Sequence, residues 1–105
     1  MAKIVTFGEV LLRIAPEGTQ RFAQADRFQC IHGGEEANVA AALAAFGHTV
    51  NFVSKLPKNE IGQMALGSLR RCGVETAHVV RGGDRTGICF QERGVPQRPG
   101  KTIYD

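Results

Sequence analysis

The sequence predicts an α/β fold, a parallel βαβ sheet core with a small antiparallel β sheet beside it. Three observations predict it. Between residues 3 and 80, short β-branched runs alternate with two segments of helical pattern, the order that yields a parallel sheet with right-handed crossovers. The segments at 10–14, 28–32 and beyond residue 86 instead alternate apolar and polar residues, which suits strands with one wet face. The 105 residues are 43% hydrophobic and 22% charged, without a collagen period, heptad or charge block, so they suit one modest domain or part of a larger one.

Lys3–Phe7 is a β-branched run stopped by Gly8 and reads as a buried strand. Val10, Leu12 and Ile14 alternate with Leu11, Arg13 and Ala15 until Pro16 and Gly18 end the pattern. After a polar stretch, Phe28, Cys30 and His32 mark another two-faced strand. Gly33-Gly34 then changes the periodicity. Glu35–Phe46 is alanine-rich, carries two glutamates where the dipole favours them, and meets a helix stop at Gly47. Thr49–Val53 is the next strand. Asn59 is the N-cap candidate for a helix over Glu60–Cys72, ended by Gly73, with Arg70 and Arg71 in its last turn. Ala77–Val80 reads as a short strand and 81–85 as a turn. Thr86–Arg93 and Lys101–Asp105 read as two strands joined by the Pro/Gly-rich loop Gly94–Gly100.

Several function classes recede on composition. The longest near-apolar stretch, Ala37–Phe46, falls well short of the roughly 20 residues a bilayer requires. The N-terminal apolar run is broken by Gly8, Glu9 and Arg13, unlike a secretory signal. Cys30, Cys72 and Cys89 are widely spaced and odd in number, which suits idle thiols in the cytoplasm better than a disulfide framework or zinc site. The formal charge of +3 is uneven. Residues 1–52 hold four basic and five acidic groups, residues 53–105 nine and five. Such a basic half favours an anionic ligand, and its arginines lack the interleaved aromatics of a nucleic-acid platform.

Candidate chemistry gathers around Gly33-Gly-Glu-Glu-Ala-Asn38. Two glycines at a helix start let a ligand approach backbone N–H groups, and the Asn38 amide, one turn in, can donate to and accept from hydroxyls. The same residues also fit a plain tight turn followed by a polar helix residue. No phosphate loop of Walker or GxGxxG type is present. Glu9, at the end of the first strand, stands where open α/β sheets bind ligands, and equally reads as an exposed turn residue. His32 has no companion Ser or Asp at triad spacing and reads as packing or surface. Tyr104, the only tyrosine, offers a hydroxyl to a substrate or an aromatic to a sheet face.

Three segments, Phe7-Gly-Glu-Val-Leu-Leu-Arg-Ile14, Gly33-Gly-Glu-Glu-Ala-Asn-Val-Ala40 and Ser54-Lys-Leu-Pro-Lys-Asn-Glu-Ile-Gly62, resemble the N-terminal motifs of the ribokinase-like (PfkB) carbohydrate kinases. Arg81-Gly-Gly-Asp-Arg-Thr-Gly-Ile88 and Gln97-Arg-Pro-Gly-Lys-Thr-Ile-Tyr-Asp105 narrow the resemblance to the 2-keto-3-deoxygluconate kinase branch. The likeness runs collinearly along the whole chain. It implies that residues 1–105 are the N-terminal portion of one ribokinase-like domain, with lid strands at about 10–32 and 86–105 and an α/β core at about 3–8 and 33–80. It further implies sugar-hydroxyl contacts at Gly33, Gly34 and Asn38, support from Glu9, and a substrate contact from Tyr104. Cys89 stands where this branch usually has a second pocket tyrosine, and Arg13 where ribose and fructose kinases carry an aspartate. The implied cofactors are ATP and Mg²⁺. The implied partners are a small-molecule sugar acid and a second copy of the chain, joined through the lid strands. The family's GAGD motif, catalytic aspartate and nucleotide site match nothing in these residues, so the expectation is a fragment that is catalytically silent alone. The alternatives are a non-catalytic sugar-binding or dimerisation module, and a kinase for another ketose or a nucleoside.

Overall fold

The computed structural model describes residues 2–104. Lys3–Phe7 forms β1, Leu11–Pro16 β2, Phe28–Gly33 β3, Glu35–Ala45 α1 and Thr49–Leu56 β4. Glu60–Arg71 forms α2, followed by β5 (Val79–Arg81), β6 (Ile88–Glu92) and β7 (Lys101–Tyr104). A 3₁₀ turn at Phe22–Gln24 interrupts the stretch read above as plain polar coil. Asp105, included above in the last strand, lies outside the described residues.

Two sheets divide these strands. The core sheet has the order β1-β4-β5 and is parallel throughout, with Lys3 opposite Thr49, Phe7 opposite Val53, and Leu56 opposite Arg81. Strand β4 reaches Leu56 rather than stopping at Val53 because Ser54, Lys55 and Leu56 pair with β5. For the same reason β5 sits at Val79–Arg81, shifted toward the turn from the expected Ala77–Val80. Helix α2 begins where Asn59 accepts a hydrogen bond from Gly62 N–H at 2.9 Å. Helix α1 stops before Gly47, whose φ of 93° an L side chain adopts only with strain.

Both helices lie on one face of the core sheet. There Val50, Phe52 and Leu56 pack with Ala37, Ala40, Ala65, Leu66 and Leu69. The alanines of α1 carry no bulk beyond Cβ, which lets the helix approach β1 and β4 closely.

The second sheet has the order β3-β2-β6-β7. The expectation that it is antiparallel needs correcting. Its outer pairs β2–β3 and β6–β7 are antiparallel, but the central pair β2–β6 is parallel, with Leu12 opposite Ile88 and Ile14 opposite Phe90. The chain leaves the sheet after β3, builds the core, and re-enters at β6 from the same end, so no hairpin reverses its direction. Glu92 is buried and fastens this sheet to its loops, accepting from Phe22 N–H at 2.7 Å and from Arg98 at 3.3 Å. Strand β6 begins at Ile88 rather than Thr86, whose side chain is buried ahead of it. Among the described residues, no helix is long and apolar enough to cross a membrane.

Candidate functional site

The second sheet faces the start of α1 across a hollow of about 300 Å³, the lower end of the range usual for small-ligand sites. Gly34, Glu35 and Asn38 line it from the helix, Leu11 and Arg13 from β2, Cys89 and Gln91 from β6, Thr102 and Tyr104 from β7. Register explains the gathering. Arg13 is opposite Cys89, and Cys89 opposite Tyr104, so the three form one row across the sheet, with Gln91 and Thr102 paired beside it. The period of two then turns Leu11 and Arg13, Cys89 and Gln91, and Thr102 and Tyr104 to the same face.

The twin-glycine bend is shaped by its protein neighbours. Gly34 has φ 149° and ψ 158°, a region open mainly to glycine. A Cβ added there would lie 2.5 Å from the Glu9 carbonyl oxygen, and one added to Gly33 would lie 3.1 Å from Arg13 Nη2. The first glycine therefore makes room for the guanidinium, and the second lets the Glu9 backbone pass. Beyond the bend, Asn38 N–H donates to the Gly34 carbonyl at 2.9 Å, and the earlier amides of α1 are left without intrahelical acceptors.

Of the residues singled out from sequence, Gly34, Asn38, Cys89 and Tyr104 line this one hollow, and Gly33 lies behind it against Arg13. Asn38 and Tyr104 are exposed and Cys89 is buried. Glu9 does not join them. Its carboxylate lies against Gly87, and it opens on a separate hollow at the carboxyl ends of β1 and β4, shared with Phe7, Ser54 and Lys55. Leu11, Gln91 and Thr102 had not been singled out, and Arg13 only as a departure without a role. The signal for all four is the alternation itself: two residues along a strand from any pocket residue is another on the same face.

His32 reaches neither hollow. Its buried Nε2 has no hydrogen-bond partner among the described residues and lies beside Val10, Ala37, Ser68, Leu69 and Cys72. Burial, and secondarily the charge of Arg71, hold its pKa below the ordinary 6.5. A broader, shallower hollow at the start of α2 includes Arg81, but that guanidinium is already committed to the Pro57 carbonyl at 2.9 Å and to Gln63 at 3.2 Å.

These residues do not fit a nucleotide–magnesium site. Among the described residues no three His, Cys, Asp or Glu side chains are grouped to hold a metal ion, and the hollow itself offers a single carboxylate, Glu35. The hollow is instead lined by amide, hydroxyl and guanidinium groups, the donors and acceptors that suit a polyhydroxylated molecule.

A parallel core sheet, a four-stranded companion and a hollow between that companion and the start of α1 place the chain among the ribokinase-like folds. The chain belongs to the pfkB family of carbohydrate kinases, whose family model matches residues 1–101. It is similar over its whole length to a 2-dehydro-3-deoxygluconokinase structure from Thermotoga maritima, at 50% identity and TM-score 0.98, covering 32% of that chain. A 2-dehydro-3-deoxygalactonokinase of Haloferax volcanii is 37% identical over 99% of this chain and 33% of its own. Fructokinase-1 of Oryza sativa is 39% identical over 83% of this chain and 28% of its own. The chain thus spans about a third of the length of the curated relatives it matches.

Proposed function

We propose that the chain supplies the sugar-acceptor side of an ATP-dependent kinase acting on 2-keto-3-deoxygluconate or a similar sugar acid. One observation carries this reading: the helix-start residues Gly34 and Asn38 and the sheet residues Arg13, Cys89, Gln91, Thr102 and Tyr104 line a single hollow. Asn38 donates to one hydroxyl and accepts from another, while Gln91, Thr102 and Tyr104 complete a set that a sugar can satisfy from several sides. The second sheet covers the sugar and reduces its access to water, so that a phosphoryl group is passed to the sugar rather than hydrolysed. Glu9 opens on the neighbouring hollow at the carboxyl ends of the core strands rather than on this one, so the residues of the hollow itself hold the sugar. ATP with Mg²⁺ supplies the phosphoryl group, bound outside these residues, and such a reaction belongs in the cytoplasm.

The 105 residues provide acceptor groups but no GAGD motif, so the chain alone transfers no phosphate. Titration of the chain with 2-keto-3-deoxygluconate, followed by NMR, checks the binding half: shifts at Asn38 and Tyr104 are expected, and their absence at tens of millimolar sugar would sink it. Incubation with ATP, Mg²⁺ and the sugar acid checks the other half, with no phosphorylated sugar expected. The fructokinase likeness favours a neutral ketose as the second reading. We further propose pairing of two copies through the second sheet, supported by Phe28, Ile31 and Ile103, each about half exposed on it. Sedimentation equilibrium distinguishes monomer from dimer.

A further inference from the structure

Among the described residues, three arginines are half-buried: Arg13, Arg81 and Arg98. Two of them have protein acceptors. Arg81 donates to the carbonyls of Pro57 and Asn59 and to Gln63. Arg98 pairs with Glu92 and donates to the Thr19 carbonyl. Arg13 has no hydrogen bond or ion pair among the described residues, although its guanidinium is packed against Gly33 and lines the hollow. A partly desolvated guanidinium, with five donors and no acceptor, is costly unless something else supplies the negative oxygens.

The rest of the lining does not supply them. Asn38, Cys89, Gln91, Thr102 and Tyr104 bring amide, thiol and hydroxyl groups rather than carboxylates, and the one carboxylate, Glu35, is exposed and makes no ion pair with Arg13. The start of α1 adds the positive end of its dipole to the same space. Sterically, the guanidinium is accessible. Its cross-strand neighbour Cys89 is small, and the glycine behind it has no side chain.

We infer that Arg13 selects for an acid, taking the carboxylate of a sugar-acid ligand in a charge-assisted, two-pronged hydrogen bond. This rests on the reading of the hollow as the sugar site and adds to it the group that separates acids from neutral sugars. Arg13 therefore sets specificity, whereas Asn38 and the hydroxyl-bearing residues serve acids and neutral ketoses alike.

The test measures dissociation constants of the whole chain for 2-keto-3-deoxygluconate and for fructose, in the wild type, Arg13→Met and Arg13→Lys. Arg13→Met is expected to weaken the acid about tenfold or more, the range for losing a hydrogen bond to a charged group, and to weaken fructose severalfold less. Arg13→Lys should keep part of the preference, as a point charge without the fork. Equal weakening of both ligands, or of neither, would overturn the role of Arg13 while leaving the sugar site standing. A wild type that binds neither sugar would remove the site and this inference together. Should Arg13→Met fail to fold, the wild type still decides: acid binding must fall with added salt while fructose binding does not, and a salt-independent acid would overturn the inference.

Discussion

On the helix-facing side of the core sheet, Val50 and Phe52 are fully buried. On the opposite side Val5 and Phe7 stand 69% and 76% exposed, with Val80 at 60%. Both sets come from adjacent, paired strands and are apolar residues of the same types. A parallel strand ordinarily reads as a continuous apolar run because it is covered on both faces, and β1, with Ile4, Val5 and Phe7, reads that way. The difference between the faces teaches that side-chain type records what a strand is able to bury. Whether burial occurs depends on a second layer, and α1 and α2 supply one to a single face.

The sharpest way to break the comparison is at its buried pole. Phe52 is fully buried in the apolar cluster shared by both helices and the core sheet. Phe52→Ala should cost about 3–5 kcal/mol through lost transfer energy and an unfilled cavity. For a chain of this size that approaches the whole margin of stability. Urea unfolding followed by circular dichroism is expected to show little or no cooperative transition in the variant.

A smaller effect is expected at the seam between the second sheet and the helices. His32 is held below its ordinary pKa first by burial and then by Arg71. The unfolded chain therefore takes up the proton before the folded one does. The contribution of His32 is complete above about pH 6.5 and is lost as pH falls from there through the lower folded-state value, because the unfolded state binds more protons in that window. Urea midpoints compared at neutral pH and at about pH 5.5 should drop in the wild type and drop less in His32→Gln. Equal drops in both would place the sensitivity elsewhere.

Much of this fold was legible because local and global signals agree. Asn59 before α2 and the glycines after both helices have one obvious structural use each, and the helices end within a residue of the expected positions. The direction of β6 beside β2 was not legible, since strand patterning reports which face is wet and says nothing about which end the chain enters from. Likewise, the 3₁₀ turn at Phe22–Gln24 is fastened in part by Glu92, 70 residues along the chain from Phe22, accepting its N–H. In the hollow, the glycines and Asn38 stood out by their place at a helix start. Gln91 and Thr102 share a strand face with Cys89 and Tyr104 by the period of two, but a polar residue on a two-faced strand ordinarily means solvent, and it is the register of β6 against β7 that pairs them at the hollow.

The smallest expected effect tests the bare pole. Phe7→Thr puts a β-branched residue suited to a strand in place of a ring that is already three-quarters exposed, so the change in stability should stay within about 0.5 kcal/mol, as for surface positions generally. The contrast with Phe52→Ala, a substitution of the same aromatic on the neighbouring strand, is then severalfold. Protein concentration gives the comparison its edge. If the exposed ring contacts another molecule in solution, the cost of Phe7→Thr must grow as the chain is concentrated, because association stabilises the folded state by mass action. A cost near that of Phe52→Ala at the lowest measurable concentration would mean that this face is covered within the single chain, and the distinction between the two faces would be lost.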